Sequence, residues 1–206
     1  MRHIPSSDTF HAEVLTFEEA LAPTADDFDR DRWIYVPDHY SEYRYILGTR
    51  GNHPLICIGI NPSTAIPDRL DNTLKSAERI ALFNGYDSFV MFNVYAQRAT
   101  DPDDMEMELN PVLHRENLKA FSWLLSQLNT VPDLWAAWGT IIEKRPYLPA
   151  CVLDMANVGK QFGARWFTAG PRSRKGHPHH PLYLKKDSAL DPFDDLESYL
   201  GGLSDA

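Results

Sequence analysis

Cysteine is scarce in this chain, which has only Cys57 and Cys151. Two thiols exclude a disulfide framework, a four-cysteine zinc site and an iron–sulfur cluster built within one chain. Both lie in apolar stretches, as expected of two buried, reduced thiols in a cytoplasmic protein. Long apolar runs are missing too. No segment approaches the roughly 18 apolar residues of a membrane helix, so no membrane partner is expected. The first residues lack the charged-then-apolar pattern of a secretion signal. Internal repeats and low-complexity tracts are also absent.

What is present suits one soluble domain. The 206 residues are 43% hydrophobic, 24% charged and 12% aromatic, enough apolar material for a real core. The net charge of −9 is unevenly placed. Residues 1–32 hold eight acids against three bases, and residues 187–206 hold six acids and no base. The body between them carries 17 bases against 15 acids. Segment 165–186 has Arg165, Arg172, Arg174, Lys175, Lys185 and Lys186 with no acid. The reading is an acidic N-terminal extension (1–32), a domain over 33–186 and an acidic C-terminal tail (187–206). Tight, indiscriminate DNA binding is disfavoured, whereas a phosphate-bearing partner is compatible with the basic segment. An acidic tail lying over that segment would compete with phosphates.

The extension predicts one short amphipathic helix near Ala12–Leu21, followed by the acidic run Asp26 to Asp31. Tyr40, Tyr43 and Tyr45 surround Arg44 on a strand or short helix. Four apolar runs of strand length follow: Leu55–Ile60, Phe89–Tyr95, Leu134–Trp138 and Arg165–Ala169. Helical patterns lie between them. One carries Leu74, Ala77, Ile80 and Ala81 and stops at Asn84-Gly85. The others carry Leu118 to Leu128 and Val152 to Phe162. This alternation predicts an α/β protein with helices on both faces of a parallel sheet. The site of such a sheet lies beyond the carboxyl ends of its strands.

Unusual polar residues follow the runs. The first leads into Asn61-Pro62-Ser63-Thr64, a tight turn with hydroxyls and open backbone N–H groups. Asn61 there holds a water or a substrate atom, or simply ends the strand. The second contains Asn93, a buried amide able to offer donor and acceptor to a base edge, or to neighbouring backbone. Arg98 follows it, facing either a phosphate or the acids from Asp101 to Glu108. Asp71 or Asn72 is the N-cap of the first helix, and Asp71 becomes a candidate base if its loop folds over the site. After the third run, Gly139 lets the chain pass close to a ligand. After the fourth come Arg172, Arg174 and Lys175, a basic loop for phosphate, then His177, His179 and His180. Three histidines in four residues invite a metal reading. Stiffening by Pro178 and Pro181, and the divergence of adjacent side chains, favour instead a histidine acting on a leaving group. No metal or other cofactor is expected.

Together these residues resemble a bacterial and phage domain family of unknown function. The resemblance rests on Asn-Pro-Ser-Thr-Ala (61–65), the Arg-Ala-Thr-Asp-Pro run (98–102), Ala-Trp-Gly (137–139) and the His-Pro-Leu-Tyr run (180–183). It spans about Arg44 to Leu184. It departs at Asp71-Asn72-Thr73, where the family shows Asp-Pro-Thr, and near Asn110–His114, where a glycine is expected. A more distant resemblance is to the uracil-DNA glycosylase superfamily, through Gly59–Pro62, Asn93, Leu134–Gly139 and His177–Leu182. It implies a three-layer α/β/α fold with a central four-stranded parallel sheet. It also implies base excision by hydrolysis of an N-glycosidic bond in DNA or a nucleotide.

In that resemblance Asn61 positions the water, Asn93 and Tyr95 bind the base, and Ser63, Thr64 and Arg98 join the basic loop on phosphate. His180 (or His177) stabilises the leaving base, and the His-Pro-Leu order favours His180. Leu182 or Tyr183 is the wedge that fills the gap left by a flipped nucleotide. Asn61 cannot act as a general base, so such an enzyme would be slow unless Asp71 or another carboxylate enters the site. The alternative is a non-catalytic module that binds a nucleobase, nucleotide or nucleic acid in the same pocket.

Overall fold

The computed structural model describes residues 2–5, 14–24 and 28–204. Seven strands form one sheet: β1 (Trp33–Val36), β2 (Ile46–Thr49), β3 (Pro54–Gly59), β4 (Ser88–Asn93), β5 (Asp133–Ala136), β6 (Arg165–Ala169) and β7 (Leu190–Pro192). Their order is β1-β2-β4-β3-β5-β6-β7. The expected central four-stranded parallel sheet is overturned by this mixed, seven-stranded one. Pairing is parallel from β4 through β3 and β5 to β6, and antiparallel for β1 with β2, β2 with β4, and β6 with β7.

The physical reason for the miss lies in the outer strands. β1 and β2 are four residues long and joined without a helix, so the strand–helix alternation does not register them. β7 has three residues, one an aspartate and one a proline. The acid-rich residues after 187, expected as a tail, contain this strand and α5 (Leu196–Ser204). Phe193 and Leu200 insert into the main core.

The strand pleat sorts side chains into two cores. Ile56, Ile58, Val90 and Phe92 point to one face, against α3 (Pro111–Ser126) and α4 (Leu148–Gln161). Leu55, Cys57, Phe89 and Met91 point to the other, against α2 (Asn72–Phe83). Both cysteines are buried and free, and burial pushes the thiols up, that of Cys151 to about 12. Helix α2 begins where Asp71 accepts the Leu74 N–H at 2.9 Å. It ends at Asn84, with Gly85 beyond it at φ +86°, a conformation glycine adopts without a Cβ penalty. Helix α3 starts on Asn110, whose side chain accepts from Val112 and Leu113.

The N-terminal helix is shorter than expected. Residues 12 and 13 lie outside the described residues, and α1 covers Phe17–Ala20, closed by a capping box between Thr16 and Glu19. Asp26 and Asp27 of the acidic run also lie outside them. Among the described residues no helix is long and apolar enough to cross a membrane.

Candidate functional site

The loops after β3, β4, β5 and β6 all emerge at the carboxyl ends of parallel strands, and they enclose one cavity of about 410 Å³. That falls within the roughly 300–1,000 Å³ of small-molecule sites. Asn61, Ser63, Thr64, Asp71, Asn93, His180, Leu182 and Tyr183 all line it. These residues are scattered over more than a hundred positions of sequence. Fold topology brings them together.

Asn93 forms the floor. It is 1% exposed, and neither its Nδ2 nor its Oδ1 has a hydrogen-bond partner. Its register partner on β3 is Gly59, where a Cβ would stand 3.3 Å from Asn93 Oδ1 and 2.5 Å from Met91 Cε. A side chain at 59 would crowd the amide. Asn117 on α3 holds the strand end in place by donating to the Asn93 and Val94 carbonyls at 3.0 and 3.3 Å. A buried amide with both atoms unmatched costs about 1–3 kcal/mol per group. Native proteins rarely leave one without a reason.

Asn61 is held differently. Its Nδ2 donates to Ala99 O at 2.8 Å and Pro62 O at 3.1 Å, which leaves Oδ1 as the available acceptor. His180 accepts the Leu182 N–H on Nδ1 at 3.3 Å, so its neutral ring carries the proton on Nε2. Burial lowers its pKa, Asp71 pulls the other way, and His179 lowers it further. His180 Cβ also lies 3.4 Å from the position a Cβ would take at Gly139, whose φ is +63°. That is an ordinary van der Waals distance, and Gly139 is set apart by its positive φ. Leu182 and Tyr183 sit on a 3₁₀ turn (Pro181–Tyr183) and are exposed at the rim, Tyr183 at 75%.

Other expected residues lie elsewhere. Arg98 is fully buried and does not line the cavity. It donates to the Ser63 and Ala65 carbonyls and to Tyr35 Oη, with Tyr40 stacked 4.4 Å from it. It braces the Asn61–Ala65 turn and is not paired with the 101–108 acids. The Tyr95 hydroxyl is engaged with Glu106 and with the Asn110 N–H, away from the cavity. His177 bridges Tyr199 Oη (3.0 Å) and Glu143 Oε1 (2.9 Å). Arg172 pairs with Asp195 and Lys175 with Glu143, while Arg174 is exposed on a turn. Acids of the 3₁₀ segment Gly139–Glu143 and of the C-terminal region thus occupy two of the three cations of the basic loop. The three histidines diverge, since His179 turns to the Pro171 carbonyl. Among the described residues no group of three or more His, Cys, Asp or Glu side chains is arranged to hold a metal.

The sequence reading missed Arg44. It lines the cavity at 1% exposure, two residues before β2 and with its N–H tied to Ala96 O. Thr100 also lines the cavity, clamped by His3, whose N–H it accepts at 2.7 Å and whose carbonyl it reaches at 3.0 Å.

Fold and cavity define a mixed α/β protein with a cleft at its strand ends that mixes polar and apolar residues. Residues 44–182 match the family described as Protein of unknown function (DUF1643), and the chain belongs to it. No curated protein and no solved structure matches the chain.

Proposed function

We propose that the cavity takes up a nucleobase and that the protein hydrolyses the N-glycosidic bond of the nucleotide carrying it. The carrying observation is Asn93, a buried residue of the cavity lining whose amide donor and acceptor are both unmatched. A base edge offers an adjacent acceptor and donor, the pair such an amide satisfies.

The other residues have compatible roles. Asn61 Oδ1 accepts a hydrogen bond from water, orienting it toward the anomeric carbon. As the water oxygen bonds to that carbon, the carbon–nitrogen bond breaks and its electron pair leaves with the base. The His180 Nε2–H donates to the departing base, which finally takes up a proton, while the water loses one. The transition state is cationic at the sugar, as in other glycoside hydrolysis. Asp71 is the carboxylate on the cavity wall able to stabilise it and accept the water's proton. A non-catalytic module is the second reading, favoured by one fact: Asp71 Oδ1 is already engaged as the cap of α2.

Base release decides between them. Purified protein is incubated with free nucleotides and with single- and double-stranded DNA carrying normal, deaminated, mismatched and modified bases. Freed base is quantified and abasic sites are revealed by alkaline cleavage. Release lost in Asn61→Ala is the expected result. Thermal stabilisation by a nucleotide without release, lost in Asn93→Leu, establishes the binding module instead. Neither release nor stabilisation across the panel overturns the proposal.

A further inference from the structure

A guanidinium is costly to bury without an anion. The chain meets that demand elsewhere. Buried Arg145 donates from all three nitrogens to the carbonyls of Asp103, Lys144, Met105 and Glu106. Arg98, buried with no acid in salt-bridge reach among the described residues, has three acceptors, whereas Arg44 is served worst. Among the described residues its one side-chain hydrogen bond is Nη1 to Ala65 O at 3.2 Å, and its buried Nε has no partner. A second guanidinium, Arg98, reaches the same carbonyl. Burial, then the Arg98 charge, pull the Arg44 pKa down to about 9, and Asp71 only partly opposes them.

The rest of the cavity wall beside Arg44 is suited to an anion. Asn72 and Thr73, the first two residues of the 12-residue helix α2, line it. Asp71 caps the N–H of Leu74, the third helical residue, so the first two amides keep their donors. Ser63 and Thr64 add hydroxyls from the Asn61–Ala65 turn.

We propose that Arg44, the leading amides of α2 and the Ser63 and Thr64 hydroxyls form a phosphate subsite. Arginine matches phosphate with a planar fork, and a helix N-terminus supplies oriented N–H groups. The identification of the group as phosphate rests on this geometry. That the phosphate belongs to a nucleotide rests on the function proposed above. It is either the terminal phosphate of a free nucleotide or an internal phosphodiester of a strand.

The first test uses inorganic phosphate on the full chain, against chloride and sulfate at matched ionic strength. Phosphate is expected to raise the melting temperature saturably, and Arg44→Met to weaken its binding tenfold or more. Arg44→Lys should fall between them, and Lys160→Met, exposed near the end of α4 and outside the cavity lining, should match the unchanged protein. The Arg44 Nε–H signal in a ¹H–¹⁵N spectrum should move on phosphate addition, a readout that needs no substitution. An unmoved signal overturns the subsite, as does a response in Arg44→Met equal to that of the unchanged protein.

The second test compares a nucleoside, its 5′-monophosphate and a short oligonucleotide without terminal phosphate. Tighter binding of the monophosphate than of the nucleoside assigns the subsite to a terminal phosphate. Preference for the oligonucleotide assigns it to a strand. Nucleoside binding with no gain from either phosphate form removes the subsite and leaves the base pocket standing. Phosphate binding with no effect of any base does the reverse.

Discussion

Arg44 and Arg98 converge on one atom, each donating Nη1 to the Ala65 carbonyl at 3.2 Å. Their surroundings then diverge. Arg98 is closed in by the Tyr35 hydroxyl and the Tyr40 ring. Arg44 opens on the cavity. One is a brace and the other a binding group, so their removal should differ. Arg98→Met removes the guanidinium that donates to the Ser63 carbonyl and to Tyr35 Oη, leaving Ala65 O to Arg44, and is expected to cost about 2–4 kcal/mol of folding free energy. Arg44→Met removes an uncompensated buried charge and is expected to cost less than about 1 kcal/mol. Urea unfolding of both variants checks the contrast, and equal losses would deny Arg44 its special position.

Asn93 offers a sharper case. Filling its site with a similar-sized apolar side chain relieves two unmatched polar atoms. Asn93→Leu is therefore expected to raise stability by about 1–2 kcal/mol while removing nucleotide-induced stabilisation. A destabilised variant would show that Asn93 has a structural partner.

Asp71 has two separable roles. Asp71→Ala removes the cap of α2 and should cost about 1 kcal/mol. Asn caps as well as Asp, so Asp71→Asn should stay within about 0.5 kcal/mol of the unchanged protein. If base release occurs, it should fall in both variants. Should Asp71→Asn destabilise as much as Asp71→Ala, the carboxylate matters as the counter-charge of Arg44.

His180 gives a pH test. Burial depresses its pKa below the ordinary 6.5. The folded protein therefore releases this proton at a lower pH than the unfolded chain does. Between the two midpoints the unfolded chain binds more protons, so stability rises with pH across that window. It is lost as pH falls from 6.5 toward the folded midpoint. The His180 ring titration should have its midpoint below 6.5, and Asp71→Asn should lower it further. His180→Gln should remove this part of the pH dependence of unfolding.

The cavity was more legible than the sheet. Asn61, Asn93, Asp71 and His180 each interrupt or follow an apolar run, a local pattern that survives in one dimension. β1, β2 and β7 are short and joined without helices, so no periodicity marks them. Arg98, Arg172 and Lys175 read as phosphate ligands because a cation in a loop looks the same whether or not an acid or a carbonyl waits beside it. Arg44 reads as one charge among tyrosines, and only its place on the cavity wall and its single hydrogen-bond acceptor distinguish it from Arg98.

By itself the sequence determined the core strands and helices, because apolar periodicity and capping chemistry are local. It also determined that the polar residues cluster at strand ends. The tertiary structure alone decided the strand order, and with it which of those residues share a cavity. It alone decided which cations are neutralised and which is left open. Pairing and burial are long-range, and a side chain's chemistry depends on neighbours that sequence distance does not reveal.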